Sequence, residues 1–214
     1  MRTKFLKFLT IIAIGVAIVS CKNKADEAAT TEAEEVATSE ATSTKYMLDT
    51  DTSVIEWTGY KPTGKHNGTI DLESGVFTVN DGKVESGTFM ITMNSLKDSE
   101  GNAKLEGHLK SADFFEVEAY PNAAFDVTGY EMVDGKAMLS GNLTLKDAKN
   151  NVTFPVTTSQ DGNMFTLTSE MFTIDRSKWN VKYGSKSFFD DLGDKFINDD
   201  IELKITVKAT TKAL

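Results

Sequence analysis

An alternation of apolar and polar residues runs through most of the chain and limits it to a fold built from β-strands. The clearest case is "IELKITVKA", in which Ile201, Leu203, Ile205 and Val207 alternate with charged residues and a threonine. A period of two with one apolar face is typical of half-buried antiparallel strands. Runs of this kind predict eight strands, at residues 53–60, 67–80, 83–94, 123–131, 136–145, 151–159, 163–174 and 200–209.

Asp-Gly pairs fall between neighbouring strands of this set, at Asp81-Gly82, Asp134-Gly135 and Asp161-Gly162. Such pairs favour tight hairpin turns, because both residues tolerate the positive φ that these turns need. Glycines also occur within the strands, where they mark bulges and bends that let a sheet curl. The sequence therefore predicts an all-β fold, an eight-stranded antiparallel barrel, with a two-sheet sandwich as the alternative.

Two segments lack the alternation and are expected near the barrel ends. Residues 100–119 place Leu105 and Leu109 four apart, which predicts one or two short helices that end before Pro121. Residues 176–199 form a long irregular loop with several aromatic residues. Long loops in compact domains are often functional.

The first 20 residues have the features of an export signal. Arg2, Lys4 and Lys7 precede an apolar run from Phe8 to Val19, which is shorter than the ~20 residues that cross a bilayer as a helix. The only cysteine, Cys21, follows in "IVSC", which resembles the bacterial lipobox. We therefore expect a signal peptide at 1–20, lipidation of Cys21, and a membrane-anchored lipoprotein of the cell envelope, on the periplasmic or outer-membrane side.

Residues 22–44 contain no aromatic residue, and six acids stand against two lysines. Together with Cys21 they are predicted to form a disordered acidic tether, because they cannot bury enough apolar surface to offset chain entropy. The folded domain is then expected at 45–210. The net charge of −9 argues against nucleic acid as a partner, and against attachment to anionic head groups.

The domain offers little catalytic chemistry. His66 and His108 are the only histidines, and neither a zinc-binding spacing nor a nucleophile or phosphate-binding motif is present. His108 is expected to bond Asp113 or a backbone carbonyl, and Arg176 to be a structural ion-pair partner. The acidic cluster "FFDDLGDKFINDD" does not fit a calcium loop and is interpreted as a solvated loop. We therefore expect no enzyme, no catalytic residue, no metal and no cofactor.

Several stretches of the chain carry a family resemblance. "HLKSADFFEVEAYPNAAF", "GKHNGTIDLESGVF", "FTIDRSKWNVKYG" and "DKFINDDIELKITVKA" closely resemble ordered motifs of the YceI-like family, from about Tyr46 to Ala209. The resemblance implies a lipocalin-like barrel that holds a long apolar chain, an isoprenoid or related lipid. It also implies export and the absence of catalysis.

Site residues follow from combining the resemblance with the alternation. The residues predicted to face the lipid in the barrel interior are Ile55, Trp57, Ile70, Leu72, Phe89, Ile91, Met93, Phe125, Val127, Leu139, Leu143 and Phe154. Those predicted at the barrel mouth are His108, Asp113, Phe114, Phe115, Trp179, Tyr183, Phe188 and Phe189, with Phe114 and Phe115 closing one end.

The same apolar residues would also fill a packed core, so the sequence leaves two interiors open. The expected partners are a non-covalent lipid ligand and the membrane through Cys21, with a homodimer as an open alternative. An envelope stress or interaction module with a solid barrel core is the alternative function. A lipid-modifying enzyme that uses His66 and His108 is a third.

Overall fold

The computed structural model describes residues 25–211, so the predicted signal peptide and the predicted lipidation of Cys21 lie outside the described residues. The strands are β1 (Asp26–Glu27), β2 (Ala29–Glu32), β3 (Thr44–Leu48), β4 (Val54–Lys61), β5 (Gly64–Asn80), β6 (Lys83–Asp98), β7 (Asn122–Val133), β8 (Lys136–Leu145), β9 (Ala148–Asp161), β10 (Met164–Ser169), β11 (Phe172–Asp175) and β12 (Asp200–Thr211). One α-helix, α1 (Ala103–Lys110), lies between β6 and β7. Two 3₁₀ helices, Arg176–Trp179 and Gly193–Lys195, lie between β11 and β12.

The strands from β3 to β12 close into an antiparallel ring with eight positions. Strands β3 and β4 share one position between β5 and β12, and β10 and β11 share the position on the other side of β12. The predicted all-β barrel is confirmed. The strand count differs from eight for three reasons. The run 163–174 is broken at 170–171 into β10 and β11, β3 is too short to show an alternation, and β1 and β2 precede the predicted domain.

Tight turns join the predicted hairpins. Asp81-Gly82 and Asp134-Gly135 each connect two paired strands, and all four residues have positive φ. The third turn differs by one residue from the prediction. Asp161 pairs with Met164 within the ladder, so the turn consists of Gly162 and Asn163, and Gly162 supplies the positive φ of 58°.

One α-helix forms within 100–119, and turns follow it at 111–119. It begins where the side chain of Asn102 accepts a hydrogen bond from the N–H of Leu105, at 3.1 Å. A capping oxygen of this kind satisfies one of the free amides of a first turn. Among residues 25–211, no helix combines the length and the apolar character that crossing a bilayer requires.

A packed aromatic core fills the end of the barrel away from α1. Tyr46, Phe77 and Phe165 are almost completely buried, and their ring centroids lie 5.3–5.6 Å apart. Phe89 packs against Phe77 with a centroid distance of 5.7 Å. This half of the interior is a solid core of side chains.

The predicted disordered tether is wrong for residues 25–43, which lie against the barrel. In this N-terminal strap, β1 pairs with β11 and β2 pairs with β9. The backbone of Glu34 then exchanges hydrogen bonds with the side chain of Asn142, and Ala37 donates to Val127. The reasoning from composition failed because these contacts use backbone groups and need few apolar side chains.

Candidate functional site

A cavity of about 310 Å³ lies inside the barrel, at the end covered by α1 and residues 176–199. Ligand pockets in proteins usually span ~300–1,000 Å³, so the cavity is at the lower limit of that range. Its apolar walls come from Ile55, Trp57, Ile70, Ile91, Met93, Leu96, Leu105, Leu109, Phe114, Phe115, Ala123, Phe125, Leu143, Leu145, Val152, Phe154, Phe172, Ile174, Ile197, Ile201, Leu203 and Ile205. The interior is therefore a cavity at one end and a packed core at the other.

Eight of the twelve residues predicted to face the interior line this cavity: Ile55, Trp57, Ile70, Ile91, Met93, Phe125, Leu143 and Phe154. The other four, Leu72, Phe89, Val127 and Leu139, point inward but belong to the packed half of the barrel, where each is at most 7% exposed. The alternation identifies the inner face of a strand. It does not show how far along the barrel axis a residue lies. This position along the axis distinguishes the eight cavity-lining residues from the four core residues.

Phe125 lies over Gly141 of the neighbouring strand. A Cβ atom at Gly141 would lie 2.2 Å from Cζ of Phe125, so a larger residue there would displace the ring. The aromatic rings of Phe154 and Phe172 stack at a centroid distance of 4.3 Å on the adjacent wall. The glycine and the stacked pair together shape the cavity side formed by β7, β8, β9 and β11.

The segment after α1 brings Phe114 and Phe115 to the end of the cavity. The N–H of Phe115 donates to the carbonyl of Leu109 at 3.1 Å, which folds the segment back under the helix. The two rings meet edge to face at 5.7 Å, and both side chains are buried. They close this end of the cavity, and the aromatic pair is part of its wall.

His108 and Asp113 lie beside this pair at the cavity rim. Nε2 of His108 is 3.5 Å from Oδ2 of Asp113, and the imidazole packs edge-on against Phe114 and Tyr183. His108 lines the cavity, whereas Asp113 and Tyr183 support it from outside. His108 and Asp113 therefore lie close enough to form the expected pair.

Three residues predicted at the mouth lie elsewhere. Trp179 is fully buried outside the cavity, where its Nε1 donates to the carbonyl of Leu143 at 2.8 Å. Phe188 and Phe189 are 42% and 50% exposed on the loop surface, and Lys182 lies over the ring of Phe188. An aromatic residue in an irregular loop has no periodic signal that would fix its direction, so the sequence could not separate these positions.

Arg176 holds the long loop onto the barrel. Its fully buried guanidinium lies 3.3 Å from Asp199 and donates to the carbonyls of Val181, Ile197 and Asn198. Burial lowers the pKa of Arg176, and the carboxylate of Asp199 opposes that shift. The side chain reaches the cavity wall beside Phe114, but its donors are used by the loop.

A polar rim completes the site with Tyr60, Lys61, His66 and Asn198. Nδ1 of His66 lies 3.7 Å from Oδ1 of Asp98, whose carboxylate is almost fully buried. Burial and the neighbouring Glu202 carboxylate raise the pKa of Tyr60 to about 12. Within residues 25–211, no group of three or more His, Cys, Asp or Glu side chains is arranged to hold a metal ion.

Several lining residues lie outside the predicted set although the sequence carries a signal for them. Ile201, Leu203 and Ile205 alternate in the last strand, and Phe172 and Ile174 do the same in β11. Their inward direction follows from the same period of two. Leu105 and Leu109 on α1 also had the right spacing. The rim residues have no comparable pattern, because they lie where strands end and loops begin.

The match to the model of the YceI-like domain covers residues 46–209, well over half of the chain. The chain belongs to the YceI-like family. The protein YceI of Salmonella arizonae is 32% identical over 90 residues, which cover 42% of this chain and 45% of that protein. The chain thus aligns with about half the length of this curated YceI relative.

Solved YceI-like structures share the architecture. BcnA of Burkholderia cenocepacia matches with a TM-score of 0.59 at 22% identity, over 76% of this chain and 99% of that one. A polyisoprenoid binding domain from Saccharophagus degradans, implicated in plant cell wall breakdown, matches with a TM-score of 0.56 at 14% identity, over 78% and 98% of the two chains. At these identities the likeness establishes the YceI-like fold.

Proposed function

We propose that this YceI-like protein binds a long apolar lipid, a polyisoprenoid or a similar chain, inside its barrel without changing it chemically. The observation that carries the proposal is the apolar cavity of about 310 Å³ beneath α1. Burial contributes ~0.8 kcal/mol for each methylene group, so a long chain can bind there without a charged clamp. The cavity also disfavours an interaction module with a solid core.

Support for the ligand class comes from the family. The solved relative from Saccharophagus degradans is described as a polyisoprenoid binding domain, and its chain aligns along 98% of its length. The lining here suits such a ligand, because branched aliphatic and aromatic side chains dominate it. Met93 adds a flexible side chain that adapts to irregular ligand shapes.

Export and anchoring belong to the same proposal. The signal-like residues 1–20 and the lipobox-like "IVSC" support a lipoprotein whose Cys21 carries acyl chains. Acyl chains would supply the membrane attachment that a chain of net charge −9 does not obtain from anionic lipid. We place the protein in the cell envelope, on the periplasmic or outer-membrane side.

Native mass spectrometry of protein purified without detergent tests lipid binding. We expect the folded chain to carry a lipid, or to take up geranylgeraniol, a C20 isoprenoid alcohol, after delipidation. The released lipid should have an unchanged mass, as binding without catalysis requires. A delipidated, folded chain that takes up no prenyl alcohol would overturn the proposal, and a modified product would favour a lipid-modifying enzyme.

A further inference from the structure

One part of the cavity wall is not built from neighbouring ring strands. Strand β10 pairs with β9 along Val156–Asp161, but the chain then turns away, and β11 pairs with β12. The facing edges of β9 and β11 pair instead with the N-terminal strap. Residues 150–153 of β9 bond β2, and residues 172–173 of β11 bond β1. Residues 26–32 therefore fill a gap in the ring.

The gap borders the ligand cavity. Phe154 and Phe172, whose rings stack at 4.3 Å, stand on its two sides and line the cavity. Ala28 lies between the strands, is only 4% exposed, and belongs to the hydrophobic core. Its N–H donates to the carbonyl of Thr173 at 2.8 Å. The strap thus covers the side wall of the cavity rather than either end of the barrel.

The strap is held mainly by backbone hydrogen bonds, whereas the loop at the rim is also fixed by a buried charged side chain. Apart from Ala28, its side chains at 26–32 are exposed or half-buried. The ion pair of Glu27 with Lys178, at 3.1 Å, is largely exposed and contributes at most ~1 kcal/mol. Fixing each backbone residue costs ~1–2 kcal/mol of entropy, and little apolar burial offsets it here. The loop at the rim is fixed instead by the buried hydrogen bonds of Arg176.

We propose that residues 26–32 are a movable section of the cavity wall, and that their departure opens a lateral entrance for the lipid. The inference rests on the proposed lipid binding. Segments with few buried contacts open locally at lower free energy than core strands. The YceI-like match begins at residue 46, so the movable section is an addition to the matched domain.

A reversible disulfide between the strap and β9 tests the entrance. Ala29 and Thr153 are directly opposed in an antiparallel pair, where Cα separations of ~4.5–5.5 Å suit a disulfide. The variant Ala29→Cys/Thr153→Cys is made in the Cys21→Ser chain, which removes the native thiol. The control is Glu131→Cys/Met138→Cys, an opposed pair in the β7–β8 hairpin at the packed end.

Uptake of geranylgeraniol from phosphatidylcholine vesicles is followed by native mass spectrometry at timed intervals. Oxidation of the strap pair should slow uptake by about tenfold or more, because the opening free energy rises, and reduction should restore the rate. Oxidation of the control pair should leave the rate unchanged. Equal rates in the oxidised and reduced strap variant would overturn the inference and indicate entry through the rim. A reduced chain that takes up no lipid would overturn the proposed function, and the entrance with it.

Hydrogen exchange of the chain without engineered disulfides gives a second test. The amides of residues 28–32 should exchange at least about tenfold faster than those of β8, because the strap opens without global unfolding. Equal protection in the two segments would show that the strap is as stable as the ring, which contradicts a movable wall.

Discussion

Leu143 and Leu139 extend from the same face of β8, four residues apart, yet only Leu143 lines the cavity. We expect Leu143→Trp to fill free space, so that lipid uptake falls sharply while stability changes little. The matched control Leu139→Trp enters the packed half and should cost ~1–3 kcal/mol of the free energy of unfolding through overpacking. Timed uptake and urea unfolding of both variants provide the measurement. Unchanged uptake together with a large loss of stability in Leu143→Trp would contradict a ligand cavity at this position.

At the level of elements, a side-chain hydrogen bond supplements the backbone ladder that joins β4 and β12. The Tyr60 hydroxyl donates to Oε2 of Glu202 at 2.6 Å, and Glu202 is only 6% exposed. Burial first, and then the carboxylate, raise the pKa of Tyr60 from 10.0 to about 12. The folded state therefore holds this proton more tightly than the unfolded state. The stability it provides is complete below pH 10 and is lost as the pH rises through about 12.

The variant Tyr60→Phe should lower the free energy of unfolding by ~1–3 kcal/mol at pH 9, because it leaves a buried carboxylate oxygen without its donor. The difference from the unmodified chain should shrink between pH 10 and 12. Urea unfolding at a series of pH values measures it. Tyr183→Phe is the control for the loss of a tyrosine hydroxyl, since Tyr183 is 44% exposed and packs against His108 rather than Glu202. A constant difference up to pH 12 would rule out the shifted tyrosine.

At the scale of the whole molecule, the docked strap limits the distance between the barrel and the proposed membrane anchor at Cys21. The N–H of Ala25 donates to Oε1 of Glu202 at 3.5 Å. Four residue steps separate Ala25 from Cys21. An extended chain covers at most ~3.6 Å per residue, so four steps reach at most about 14 Å from Ala25. If the whole segment from Cys21 to Thr44 left the barrel, the extended chain would span roughly 80 Å. With Cys21 acylated as proposed, the docked strap would hold residues 26–32 close to the bilayer.

Cys21→Ser should shift the protein from the membrane fraction to the soluble fraction of the cell envelope, because it removes the site of the proposed acyl chains. Fractionation followed by immunoblotting measures the distribution. Ser20→Ala, which keeps the cysteine and a small residue before it, is the matched control and should remain in the membrane fraction. Retention of Cys21→Ser in membranes would mean that another part of the chain holds it there.

The sequence by itself determined the strands and their inner faces, because a period of two depends only on local backbone geometry. Ile55, Trp57 and Phe154 line the cavity from the inner faces that the alternation predicts, and the turns at Asp81-Gly82 and Asp134-Gly135 follow from the positive φ that these residues tolerate. The YceI-like motifs can also be recognised in the sequence, because they follow one another in the order typical of the family. All of these features are set within a few neighbouring residues.

Only the tertiary structure decided how high along the barrel each inward side chain lies. Leu139 and Leu143 have the same pattern in the sequence, and the register and tilt of the assembled ring place one in the core and the other in the cavity. The strap was likewise invisible in composition, because its partners are the edges of β9 and β11. Those edges lie opposite each other only after the ring has closed, so the hydrogen bonds that order residues 26–32 are a property of the folded barrel.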